Sequence, residues 1–301
     1  MVEIRREKFL LVGDNPFHGI SHLTQERART RGDEQTPRTA ADLIVAATEN
    51  GANGFLFSVS ETTLSILKTI KENRAIDRLR LFAIVPYAYE YVKLATQHGG
   101  ISGLARILAK RLVFSANMRA SVVGLKGILR TDPVALMKAY LSYEAKRVEL
   151  SSGDKGKLES IILHEVITDM ALALDMGWFF KSFTDFVSNT GVTPGFNTCN
   201  FAFLVRKLRE WDIDLGKTII VAPFNKVGFQ MTPSKEECEK TLGSIRGAGV
   251  IAISILAAGY LEPLDGIDYI ATLPNIRGVA VGVSREKQAR ATFKLLKEKL
   301  V

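Results

Sequence analysis

Eight short apolar runs, each followed by a segment with helical periodicity, constrain this chain more than any other feature. They cover 8–13, 54–59, 80–86, 160–164, 192–197, 217–222, 249–254 and 277–283. Strands that are almost continuously apolar are buried on both faces, the condition of a parallel sheet covered by its own crossover helices. Eight such units predict an α/β fold of one kind, a single (β/α)8 barrel over residues 1–301, with strand ends delivering side chains to one mouth. The runs of the second half end abruptly in small or polar residues: IILHE at 161–165, GFNTCNF at 195–201, PFN at 223–225, AISILAAGYL at 252–261 and VAVGVS at 279–284.

The punctuation between the runs agrees. Pro37 before 38–50, Thr131-Asp132-Pro133 before 134–149 and Thr232-Pro233-Ser234 before 235–247 each join a capping side chain or a first-turn proline to an amphipathic pattern. Gly51, Gly191 and Gly249 stand where helices turn back into strands. No repeat is visible at the level of residues, so the eightfold pattern is architectural.

Two connections are abnormally long, 14–37 and 87–158, and both leave strand ends on the face where barrel sites lie. The second is basic. Residues 98–150 hold nine Lys or Arg against Asp132, Glu144 and Glu149, most of the +8 formal charge of the chain. This predicts a helical insertion over the mouth that draws a small anionic ligand, with Arg106, Lys110 and Arg111 at its centre.

Composition removes other classes. At 301 residues and 47% hydrophobic, the chain can bury one large core. No apolar run approaches the roughly 20 residues that span a bilayer, and MVEIRREKFLLVG lacks the features of a leader, so a cytoplasmic protein is expected. Cys199 and Cys238 are too few and too separated for a disulfide framework or a thiolate zinc site.

The order of motifs in 160–293 resembles that of the aldo-keto reductase superfamily. The residues that carry the likeness are Leu163-His164, Gly195 with Cys199-Asn200-Phe201, Phe224-Asn225, Ser254-Ile255-Leu256 with Gly259 and Leu261, and Gly282-Val283-Ser284. GDNPF and ENGANGFLFSVSE add a fainter match to the first two strands of that family. The resemblance implies a barrel that reduces carbonyls with NADPH through a Tyr acid, a Lys, an Asp and a substrate-orienting His. Only His164 has a counterpart. Leu56 or Phe57 stands at the Asp position, and the third strand ends in Val85-Pro86 instead of Lys. A phenol without a neighbouring ammonium is a poor proton donor near neutral pH, so conventional reductase chemistry is not expected. Against NADP, Val221 replaces an amide that would meet the nicotinamide and Ala291 an Asn that would meet the adenine end.

The candidate catalytic residues are His164 and Glu165, directly after an apolar strand, and Asp14 and His18, just past the first. Candidate ligand- or cofactor-binding residues are Asn200, Asn225, Ser254, Gly282, Ser284 and Arg285, the last two at a strand-to-helix turn suited to phosphate. Each has a structural alternative: a hydrogen-bonded core histidine, an Asp that caps a turn, an Asn that closes one. Tyr87, Tyr89 and Tyr91 wall a pocket or pack the insertion; Asn197 and Lys226 are strand-tip donors or turn residues. Glu61 reads as a helix start and Cys199 as a buried inert thiol. The leading expectation is an enzyme acting on a small anionic ligand, phosphorylated or nucleotide-like, with chemistry unlike that of conventional aldo-keto reductases. The alternatives are a metal-dependent lyase or hydrolase using His18, His22, His164 and Glu165, and a non-catalytic protein whose 103–114 segment binds polyanions. Nucleic acid ranks last, because no recognised motif accompanies the charge.

Overall fold

The computed structural model describes residues 8–18, 36–73, 75–87, 96–97, 99, 132–153, 157–245 and 247–301. Eight parallel strands close in sequence order into a barrel. They are β1 (Phe9–Gly13), β2 (Gly54–Ser58), β3 (Arg80–Val85), β4 (Lys157–Leu163), β5 (Thr193–Asn197), β6 (Ile219–Pro223), β7 (Gly249–Ile253) and β8 (Ile276–Gly282). Helices α1 (Pro37–Glu49), α2 (Glu61–Glu72), α3 (Pro133–Ser152), α4 (Glu165–Ala173), α5 (Gly177–Ser188), α6 (Phe201–Glu210), α7 (Lys235–Ser244), α8 (Pro263–Thr272) and α9 (Glu286–Leu300) surround it. Among the described residues, no helix is long and apolar enough to cross a membrane.

All eight expected strands form, with shifted ends. The 217–222 strand begins at Ile219, because Leu215–Lys217 is a 3-10 turn in which the Asp214 carboxylate accepts from Gly216 N. The 160–164 strand starts earlier, at Lys157, where it pairs with Arg80, and stops at Leu163 because His164 caps the next helix. The 235–247 helix ends at Ser244, since Ile245 is extended and Gly247 left-handed. Helix α3 runs three residues beyond the expected 134–149.

Alternation along the strands divides the apolar residues into two cores. Leu11, Phe82, Ile162, Val221 and Ile251 fill the barrel and are fully buried, while the other set packs between strands and helices. Room inside comes from missing side chains. A Cβ on Gly54 would lie 2.5 Å from Leu11 Cδ2, and one on Gly195 would lie 2.7 Å from Ile162 Cγ1. Toward the carboxyl ends the filling thins: Leu56, Ile84 and Ala280 retain 5–7% exposure, and the residues above them are Gly13, Ser58, His164, Asn197 and Gly282.

Helix α3 extends past this mouth. Arg147 reaches Glu61 at the first turn of α2 (Nη2 to Oε1, 2.6 Å) and also pairs with Glu144, which is 1% exposed. At the other end, Gly153 lies against the Lys71 side chain near the close of α2. Residues 133–143, about 16 Å of helix at 1.5 Å per residue, therefore stand above the level at which α2 begins. Most of the expected 87–158 insertion, with Arg106, Lys110, Arg111, Tyr89, Tyr91 and the 103–114 segment, lies outside the described residues.

Because the barrel interior is filled to contact, Gly195→Ala should overpack it against Ile162 and the Ile219 carbonyl. The expected loss is about 1–3 kcal/mol of unfolding free energy in urea titration, with the fold retained.

Candidate functional site

His164 is placed by two local events. Strand β4 ends at Leu163, and the next residue begins a helix at once, so His164 becomes the N-cap of α4. Its Nδ1 accepts from Val166 N at 3.2 Å, which puts the proton of the neutral ring on Nε2. Alternation from Ile162 directs the ring toward the barrel mouth. Burial pushes the imidazole below its ordinary value; the Asp14 carboxylate nearby opposes this without reversing it. His164 is therefore a neutral hydrogen-bond donor near pH 7.

Asp14 follows β1 and is 5% exposed. Its Oδ2 accepts from Ser58 N of β2 (2.7 Å) and from Nε2 of His18 (3.1 Å). His18 ends the 3-10 turn Asn15–His18, and its ring stacks on Tyr87 beyond β3 at 4.9 Å between centroids. With Nε2 donating to the carboxylate, the lone pair of a neutral His18 is on Nδ1. One carboxylate thus fixes one imidazole directly and acts on another through its field. The half of the rim from β1 to β4 carries Asp14, His18, Ser58, Tyr87 and His164.

Asn197, the last residue of β5, lies beside His164. Strand pairing aligns Leu163 with Phe196, so the two following residues are lateral neighbours on one side of the sheet. Asn197 is 9% exposed, and its Oδ1 is buried with no hydrogen-bond partner among the described residues.

Glu165 occupies the first turn of α4 and interacts with Cys199. Cys199 is half-buried where the sequence predicts a buried thiol; burial, together with the Glu165 and Asp169 carboxylates, pushes the thiol up to about 12, which favours its protonated form. Asp169 accepts from the Thr198 hydroxyl and from Cys199 N at 3.2 Å, while Thr198 Oγ1 accepts from Asn200 N at 2.8 Å. Burial raises the Asp169 carboxyl, and these hydrogen bonds offset part of the rise. This clamp fixes the β5–α6 turn. Asp169 and Thr198 had no signal in the sequence, because 29 residues separate them.

The remaining candidates are engaged locally. Asn225 is fully buried, and its amide closes the 225–229 loop at both ends, Nδ2 donating to Phe229 O and Oδ1 accepting from Phe229 N, each at 2.8 Å. Ser284 N donates to Gln288 Oε1 at 3.1 Å, so an anion at this turn would have to displace Gln288. Arg285 is the N-cap of α9, without a side-chain capping bond. Ser254 has φ +52° and donates weakly to Gln230 at 3.4 Å. Asn200 precedes α6, likewise without a side-chain capping bond. Gly282 faces Pro16, whose ring would lie 2.8 Å from an added Cβ.

Two cofactor questions follow. Val221 is fully buried in the barrel filling, Asn225 is closed on its own loop, and Ser284 N is taken, so this donor set does not fit a nicotinamide dinucleotide. Among the described residues, no three His, Cys, Asp or Glu side chains are grouped to hold a metal ion; His22 lies outside them.

Two outcomes are expected from these environments. Because the folded His164 value lies below 6.5, the unfolded chain binds the extra proton between the two values, and stability should fall as pH drops through 6.5 toward the folded value. His164→Asn, which keeps a capping acceptor, should lose less melting temperature than wild type between pH 7.5 and 5; equal slopes would contradict the assignment. Iodoacetamide should label Cys199 far more slowly in native protein than in urea at pH 8, and Glu165→Gln should accelerate native labelling.

No family model matches the sequence, and no curated protein matches it. Solved structures do. A protein from Pseudomonas aeruginosa assigned as an aldo-keto reductase aligns at 13% identity and a TM-score of 0.57, over 99% of this chain and 96% of that one. The holo form of an aldo-keto reductase from Bacillus halodurans aligns at 10% identity and 0.50, over 87% and 82%. An aldo-keto reductase from a Medee basin deep-sea metagenome library aligns at 12% identity and 0.50, with the same coverage. The likeness is one of fold: this chain shares the closed (β/α)8 barrel of these aldo-keto reductase structures.

Proposed function

We propose that this protein is an enzyme of the barrel mouth that transfers a proton next to a carbonyl group in a small anionic ligand, phosphorylated or nucleotide-like, in the cytoplasm. The observation that carries the reading is the Asp14 carboxylate, bonded to His18 and close enough to His164 to act on it while that ring remains neutral. The two imidazoles have complementary tasks. His18, oriented through Nε2, offers Nδ1 as base; His164, with Nδ1 committed to Val166, offers Nε2–H as donor.

In the proposed step His18 Nδ1 takes a proton from the carbon beside the carbonyl. The C–H electron pair becomes the new C–C π bond, and the carbonyl π pair moves to oxygen, which His164 Nε2–H stabilises. Return of the proton from His18 to the same carbon restores the carbonyl and regenerates the neutral imidazole. A neutral donor suits a developing enolate, because its own pKa is nearer that of the enol than an imidazolium's would be. The net positive charge of the chain and Arg285 at the exit of β8 support an anionic ligand. The turns of α3 above the rim support a lid over it.

Deuterium exchange tests this. Aldehydes and ketones of about three to six carbons, with and without phosphate, should include one whose α-proton is exchanged in D2O, followed by NMR. His18→Gln should slow that exchange by about 10²–10⁴-fold while ligand binding persists. Absence of exchange across the panel would overturn the reading. The same panel should show no appreciable NADPH-dependent reduction; robust turnover would restore conventional reductase chemistry.

A further inference from the structure

Asn197 presents a problem that the fold does not solve. Its Oδ1 is buried without a partner among the described residues, at the mouth, beside the His164 ring whose Nε2 carries the proton. An unpaired buried acceptor costs stability, and the other buried amide among the described residues is satisfied: Asn225 uses both ends within its loop, and the half-buried Asn53 likewise accepts from Leu10 N and donates to the Lys8 carbonyl. We infer that His164 Nε2–H and Asn197 Oδ1 form a side-by-side donor and acceptor pair that recognises an α-hydroxycarbonyl, the carbonyl oxygen on His164 and the adjacent hydroxyl on Asn197. The spacing agrees with the chemistry. Neighbouring parallel strands lie about 4.8 Å apart, and their side chains converge on vicinal oxygens about 2.7–2.9 Å apart through hydrogen bonds of ordinary length. Ser58, inward-facing above Leu56 at the same rim, offers a further hydroxyl to a polyhydroxylated chain.

This rests on the proton-transfer reading and narrows its substrate class. Asn197 is then a specificity residue: the hydroxylated ligand supplies its missing partner, and the deoxy ligand leaves it unpaired.

The test uses two matched pairs, dihydroxyacetone phosphate with hydroxyacetone phosphate, and glyceraldehyde with 3-hydroxypropanal. Binding is measured by calorimetry and α-proton exchange by NMR, for wild type, Asn197→Leu and Asn197→Asp. Wild type should favour the hydroxylated member of at least one pair about tenfold, Asn197→Leu should erase the preference, and Asn197→Asp, which keeps an acceptor, should retain it. The ligand-free Asn197→Leu protein should be no less stable than wild type in urea, since it loses an unpaired polar atom; a purely structural asparagine would behave oppositely. Equal preference in wild type, or equal weakening of both pair members in Asn197→Leu, would overturn this inference while continued exchange left the proton-transfer reading standing. Failure of every probe to bind or exchange would overturn both.

Discussion

Closure of eight parallel strands with a side-chain period of two is the constraint on which the rest of this structure depends. In a closed barrel, a strand slipped by one residue exchanges its inward and outward sets, and every neighbour must follow. The sealed layer formed by Leu11, Phe82, Ile162, Val221 and Ile251 forbids that slip, because the space it fills is already shaped by Gly54 and Gly195. Once Ile162 points inward, His164 does too, and once Gly195 faces Ile162, Asn197 stands beside His164. The chemistry at the mouth is thus positioned by packing two residues below it.

The same backbone gives its two described histidines different electronic roles. His164 faces a helix start, and a helix start supplies N–H donors, so its ring accepts on Nδ1 and presents a proton to the mouth. His18 faces a carboxylate, which only accepts, so its ring donates on Nε2 and presents a lone pair. Asp14 is buried, and its own charge is supported by Ser58 N from the neighbouring strand, which also ties the first two strands together at the rim. No ammonium is needed in such an arrangement. The absence of a Lys at the end of β3, which argues against phenol-based reduction, leaves the proposed imidazole chemistry untouched.

The periodic features were legible in the sequence and the non-local ones were not. Strand number, strand order around the barrel and the exposure of His164 at a strand end follow from apolar runs and their abrupt polar ends. Ser60 before α2 and Asp132 before α3 cap as their residue types predict. What escaped depends on partners distant in sequence. Asp169 reads as one more polar residue on an amphipathic helix until β5 brings Thr198 against it. Asn225 reads as a ligand donor until its loop turns back within four residues and consumes the amide. Ser284 reads as an open helix terminus until Gln288 reaches back to it. In each case the motif is real, and a competing hydrogen bond decides its use.

That competition separates the two ends of the molecule. At the amino-terminal end, the Phe9 ring is covered by the guanidinium groups of Arg80 and Arg277, 5.4 and 5.1 Å from its centroid, and Arg80 also pairs with Glu159. Charge there is spent on closing the barrel. At the carboxyl end the filling stops short: two inward positions are glycine, a buried amide oxygen is left unpaired and an imidazole is held neutral against a nearby carboxylate. Each of these lowers stability relative to an apolar plug of the same volume. Two of them, the unpaired Asn197 amide oxygen and the neutral His164 ring, stand side by side at the ends of β5 and β4 as complementary acceptor and donor. That juxtaposition, more than the fold, supports the proposal that the mouth is the working end of the protein.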